Sequence, residues 1–178
     1  RKYGLTYTTN VDQTLGMNRD DFVKKIKDEG YDTAFQPFID HYMVLVDQLK
    51  NEPEYGVVYD LINEAFDHPH EKYNPAIKRM IAAIREKDTN HLIYVEPMET
   101  WGALETIHLV EPTGDPLTLQ SFHDYNFRLR GDDRWPTVNR DFSTMYERFL
   151  PAIKYMIDYG VVMNCGEFGG FETFKNPC

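Results

Sequence analysis

Two glutamates follow apolar strands in this chain and carry the first chemical signal. The run Val57-Val58-Tyr59-Asp60-Leu61-Ile62 leads into Asn63-Glu64, and Val161-Val162-Met163-Asn164-Cys165 leads into Gly166-Glu167-Phe168-Gly169. One glutamate at a strand end is ordinarily a helix cap or a surface residue. Two, each with a polar or glycine neighbour, suggest a working pair. Paired carboxylates are the equipment of glycoside hydrolysis. One gives a proton to the leaving oxygen, and the other attacks the anomeric carbon or activates water.

Other residues stand at comparable places. His123-Asp124-Tyr125 ends another apolar strand, where an imidazole and a phenol can orient a carboxylate and tune its pKa. Glu96-Pro97-Met98-Glu99-Thr100-Trp101-Gly102 follows a further strand, and Trp101 there suits stacking on a sugar ring. His68-Pro69-His70, between Asp67 and Glu71, has metal-ligand chemistry but reads as a solvated loop; no HExxH accompanies it. Arg128, Arg130, Arg134 and Trp135 form a basic, aromatic patch that reads as a cleft wall. Cys165 and Cys178 lack any CxxC or zinc spacing, so the expectation is no metal, and Cys165 in its apolar run reads as a buried free thiol. A disulfide between the two is the alternative. Gly166-Glu167-Phe168-Gly169-Gly170 lacks the lysine of a phosphate loop, and no cofactor is expected.

The elements that must position these residues alternate. Strands are expected at Leu5–Asn10, Val57–Ile62, Leu92–Val95, Leu117–His123 and Val161–Cys165. Helices fall between them. Asn18 caps a segment from Arg19 to Glu29 that Gly30 ends. Phe35–Leu49 carries Phe38, Tyr42, Leu45 and Leu49 on one face. Asn74-Pro75 reads as a cap and first-turn proline, followed by the stripe Ile77, Met80, Ile81 and Ile84. Phe142–Asp158 has helical period, with Pro151 expected to kink or divide it. Such alternation implies a parallel sheet with helices outside, either doubly wound or part of a (β/α)8 barrel. In both, chemistry sits at the carboxyl ends of the strands.

Composition narrows the partners. The chain has 178 residues and a formal charge of −10, a poor match for nucleic acid or anionic lipid. It is 42% hydrophobic and 27% charged, which is globular rather than disordered. No apolar run approaches the roughly 18 residues of a membrane span. No repeat or linker divides it, so residues 1–178 read as one domain.

Three motifs together resemble glycoside hydrolase family 5, the cellulase family of clan A. Tyr55–Glu64 looks like its acid/base strand, apolar and ending in Asn-Glu. Cys165-Gly166-Glu167-Phe168-Gly169 is similar to its nucleophile strand, and His123-Asp124-Tyr125 matches the His-x-Tyr between them. The resemblance runs from about Tyr3 to Phe171. It departs at Thr8–Gln13, which lacks the family's histidine; Asn10 or Asp12 stands there. It departs again at Ala65, where proline is usual.

The resemblance implies an α/β fold, a (β/α)8 TIM barrel, with this chain covering about strands three to seven. A whole barrel takes about 250 residues. Arg1 and Cys178 therefore read as cut ends. The family's arginine beside the nucleophile and the tryptophan that floors the sugar site are then missing with the other strands. The implied chemistry is retaining hydrolysis of β-linked polysaccharide, first of all β-1,4-glucan. Glu64 is the implied acid, then base, and Glu167 the implied nucleophile. Asn63, His123, Tyr125, Trp101 and Asn10 are the implied substrate-binding residues. A mannanase, an exo-β-glucosidase or a non-catalytic glycan-binding fragment are the alternatives. The resemblance also implies secretion and a monomer when complete.

Overall fold

The computed structural model describes residues 5–7, 15–65, 68–98, 102–124 and 142–168; for 5–7, Arg19 and 142–145 it describes the backbone alone. Among them, strands and helices alternate as β1 (Leu5–Tyr7), α1 (Arg19–Glu29), α2 (Tyr31–Leu49), β2 (Val57–Asp60), α3 (His70–Arg85), β3 (Leu92–Val95), β4 (Thr118–Asp124), α4 (Phe142–Tyr159) and β5 (Met163–Phe168). Short 3-10 turns occupy Glu54–Gly56 and Leu104–Leu109.

Every strand pairs parallel with the next in sequence, in the spatial order β1-β2-β3-β4-β5. A doubly wound sheet reverses its order at a switch point. This sheet does not. The fold is a (β/α)8 barrel, incomplete over the described residues.

Local chemistry explains the helices. The Asn18 side chain accepts a 2.9 Å hydrogen bond from the Asp21 amide, and Asp20 and Asp21 lie in the positive first turn of α1. Gly30, at φ 86°, ends α1 and opens α2 in one residue. The buried face of α2 runs Tyr31, Ala34, Phe35, Phe38, Ile39, Tyr42, Val46 and Leu49, the spacing of a helix lying on a sheet. It shares a core with the buried stripe of α3 and with Val57, Tyr59, Ile93 and Val95. A second cluster joins Phe122 of β4 to Ala152 and Tyr155 of α4. Helical tyrosines then tie the strand ends down. The Tyr42 hydroxyl donates to the Asp60 carbonyl at 2.9 Å, and the Tyr73 hydroxyl to the Glu96 carbonyl at 3.0 Å. Among the described residues no helix is long and apolar enough to cross a membrane.

Several expectations shift. The α3 helix starts at His70, not at Asn74-Pro75. Asn74 is buried and spends its amide on the Leu109 carbonyl and the Glu111 amide, so the cap-like pair serves a tertiary tie. Pro151 lies inside α4 without dividing it. His68 is buried, not solvated; its Nδ1 is 2.6 Å from the Tyr31 hydroxyl, within an aromatic cage of Phe22, Phe35 and Tyr73. The α2 helix begins four residues before Phe35, at Tyr31. Cys165 carries a free thiol beside the α4 cluster, half-buried rather than buried, because β5 lies at the edge of the described sheet. Residues 8–14, 125–141 and 169–178 lie outside the described residues, and with them Arg128, Arg130, Arg134, Trp135 and Cys178.

Candidate active site

The two glutamates reach the same place by different routes. The β2 strand stops at Asp60, earlier than its apolar run suggests, and Glu64 sits in the turn that follows. It is the one non-glycine with positive φ among the described residues, at 52°. A side chain there is strained by about 1–3 kcal/mol, and such strain persists only where the surroundings enforce it. A buried acceptor enforces it here: the Glu64 amide donates to Glu96 Oε2 at 2.7 Å.

Glu167 depends on a register shift. Met163 and Cys165 pack on the helix side, beside Phe122 and Tyr155. Strict alternation would send Glu167 to that side as well. Between Phe122 and His123 the pairing slips, and Gly166 becomes the extra residue of a bulge. Glu167 therefore stands opposite His123 and shares its face. So β5 continues to Phe168, three residues past the expected end.

His123 lies between the pair. Its Nδ1 is 3.1 Å from Glu64 Oε1 and 3.6 Å from Glu167 Oε2. Its Nε2 is 3.1 Å from Glu96 Oε1, an ion-pair contact rather than an aligned hydrogen bond. One atom each of Glu64, His123 and Glu167 lie within 4.8 Å of one another. The pair is partly open to solvent, with side chains 33% and 41% exposed, while the His123 and Glu96 side chains are 3% and 0% exposed. Two reachable carboxylates thus rest on a dry charged floor.

Burial opposes charge on the His123 ring, but Glu96, then Glu64 and Glu167, outweigh it and bring its pKa up to about 9. The ring is a cation at neutral pH. Burial, reinforced by the charge of Glu96, raises Asp60 to about 8, with the His123 cation offsetting only part. Asp60 is therefore neutral at pH 7, and its Oδ1 has no hydrogen-bond partner. The spacing of Glu64, His123 and Glu167 would admit a metal ion. When no ion is bound, the His123 ring stands as a cation among these carboxylates.

Of the residues singled out in the sequence, Glu64, Glu167 and His123 come together, and Asn63 is half-buried beside Glu64. Tyr125, Trp101, Asn10 and Asp12 lie outside the described residues. Sequence reasoning passed over Glu96 and Asp60. The signal for Glu96 was present, since it too directly follows an apolar strand, β3. Trp101, later in the same loop, drew the attention instead.

Fold and site together define the class: a (β/α)8 barrel with carboxylates converging at the carboxyl ends of its strands. Residues 8–177 match the family Cellulase (glycosyl hydrolase family 5), and the chain belongs to that family. No curated protein matches its sequence. Among solved structures it is similar to Thermotoga maritima Cel5A in complex with cellobiose (mutant form), at TM-score 0.68 and 18% identity over 84% of this chain and 52% of that one. It is similar also to a tri-modular subfamily 4 endo-β-1,4-glucanase from Bacillus licheniformis, at TM-score 0.70 and 17% identity over 94% and 32%. The cellulose synthase subunit Z of Clostridioides difficile gives TM-score 0.66 and 18% identity over 93% and 68%. The chain thus spans about half the length of Cel5A.

Proposed function

We propose that this chain carries the reacting pair of a retaining glycoside hydrolase that cleaves β-linked polysaccharide, β-1,4-glucan first. The observation that carries the reading is the convergence of Glu64 and Glu167 on His123, with oxygens of the two carboxylates within 4.8 Å. Retaining enzymes hold their carboxyl groups about 5–5.5 Å apart, and inverting ones about 6.5–9.5 Å. Glu167 attacks the anomeric carbon as Glu64 protonates the departing glycosidic oxygen. The C–O bond breaks and a glycosyl ester forms on Glu167. Glu64 then takes a proton from water, which attacks the same carbon and frees Glu167. The His123 cation steadies the charge on Glu167 before the attack and the carboxylate that Glu64 becomes once it has given up its proton. Asn63, next to Glu64, is the group for the sugar 2-hydroxyl.

Cellobiose in the Cel5A complex and the β-1,4-glucanase relative support the glucan assignment. A mannotriose complex of Cel5A favours mannan as the second substrate to try. A polymer of either kind stays outside the cell, so the reading includes secretion.

A 2-fluoro glycoside tests it. The expected result is a covalent label on Glu167, with Glu64→Gln slowing hydrolysis of cellulose or mannan by about 10²–10⁴. Saturable oligosaccharide binding with no label and no turnover would leave a glycan-binding chain and overturn the catalytic reading.

A further inference from the structure

We infer that Glu96 is a positioning residue of this site: one buried carboxylate holds both the His123 ring and the Glu64 backbone, and through them sets the catalytic pair. The inference rests on the reading of Glu64 and Glu167 as the reacting groups.

The geometry is that of a two-pronged acceptor. Oε2 takes the Glu64 amide at 2.7 Å, and Oε1 faces His123 Nε2 at 3.1 Å. Only a carboxylate presents an acceptor on both prongs. A glutamine has one acceptor and one donor, so one of its ends must oppose an N–H. An aspartate is a methylene too short. The Glu96 backbone is itself pinned by the Tyr73 hydroxyl at 3.0 Å. The opposite wall is closed by Gly102 at φ 71°, whose carbonyl accepts from the His123 amide at 2.7 Å. A Cβ at Gly102 would lie 2.9 Å from Glu96 Oε2 and 3.3 Å from the His123 ring. The chain therefore closes directly on the Glu96–His123 contact, and glycine is what lets it.

Charged and titratable groups meet at the ring from each neighbouring element. Asp60 and Glu64 come from β2 and its following turn, Glu96 from the end of β3, and Glu167 from β5. On β4 itself Asp124 turns to the other side and pairs with Arg148 of α4. From α3, Tyr73 reaches Glu96 through its backbone. Of the acidic groups, Glu96 alone both touches the ring and has no exposure to solvent.

The test is Glu96→Gln, read in two independent ways. The first follows the His123 ring by NMR, assigned by its loss in His123→Gln, and needs no substrate. The midpoint near pH 9 in the unaltered chain is expected to fall by about one pH unit or more. The second is the pH profile of hydrolysis, whose limbs should shift as the ring loses its charge beside the pair, while kcat drops about tenfold. An unmoved ring midpoint overturns the inference. A ring that moves under an unchanged rate profile also overturns it, since Glu96 then holds the ring without serving the reaction. Absence of turnover in the unaltered enzyme overturns the reading of the pair instead, and the ring titration keeps that failure separate. If Glu96→Gln does not fold, Glu96→Asp keeps the charge and shortens the reach. Faster hydrogen exchange at the Glu64 amide supports the inference there, and unchanged exchange overturns it.

Discussion

Glu167 stands opposite His123 because Gly166 is one residue too many for the pairing of β5 with β4. The bulge is possible because residue 166 has no side chain. A Cβ there would lie 2.7 Å from the buried Ser121 Oγ, closer than any real contact of that kind. Gly166→Ala must push Ser121 away or straighten the bulge. Crowding of this kind costs about 1–3 kcal/mol. Urea unfolding should show that loss, and a fluorinated glycoside should label Glu167 more slowly. In a Ser121→Ala background the penalty should shrink, because the nearest atom is gone. Additive losses in the double variant would contradict the account.

Asp60 makes the protein less stable as pH rises. Burial and the charge of Glu96 raise it from 3.8 in the unfolded chain to about 8 in the fold. Between those values the folded state keeps a proton that the unfolded chain has released, so stability falls with rising pH across that window. His123 slopes the same way. Its stabilisation is complete below its ordinary 6.5 and is lost as pH rises through about 9. Asp60→Asn removes the first contribution and keeps the shape of a protonated carboxyl. The variant should gain about 3–4 kcal/mol over the unaltered chain between pH 5 and pH 8, by urea midpoints. Parallel stability curves over that range would refute it.

Arg148 guards the residue next to His123. Its Nε reaches Asp124 Oδ1 at 2.9 Å and its Nη1 reaches Glu105 Oε1 at 3.0 Å. The Asp124 side chain has no exposure at all. Removing the cation from a buried pair costs roughly 3–5 kcal/mol, whereas replacing both partners with apolar groups is often close to neutral. Arg148→Met should therefore destabilise strongly, and Arg148→Met with Asp124→Leu should recover much of the loss. Chemical unfolding measures both. A loss below about 1 kcal/mol in the single variant would mean the pair is worth no more than a surface bridge.

Much of this was legible in the residues. The apolar runs before Glu64, Glu96, His123 and Glu167 mark strands because β-branched and aromatic residues suit a sheet buried under helices. Asn18 and Gly30 mark the ends of α1 through local hydrogen bonding and a positive φ. The Asn74-Pro75 pair failed as a start signal because Asn74 found better partners across the fold, at Leu109 and Glu111. A cap preference of about 1 kcal/mol yields readily to two tertiary hydrogen bonds.

What the sequence by itself determined is the chemical content of the site and the order in which the elements deliver it. Glu64, His123 and Glu167 each follow or end an apolar strand, and strands separated by helices lie parallel with their carboxyl ends together. What only the tertiary structure decided is which way those groups face and in what state of charge. Side chains alternate along a strand, so the single extra residue at Gly166 moves Glu167 from the helix side to the His123 side. A charge state depends on burial and on neighbours far along the chain. Nothing local to Asp60 or His123 says that both will be buried with Glu96 beside them, yet burial together with that carboxylate keeps a proton on the one, and that carboxylate keeps a charge on the other.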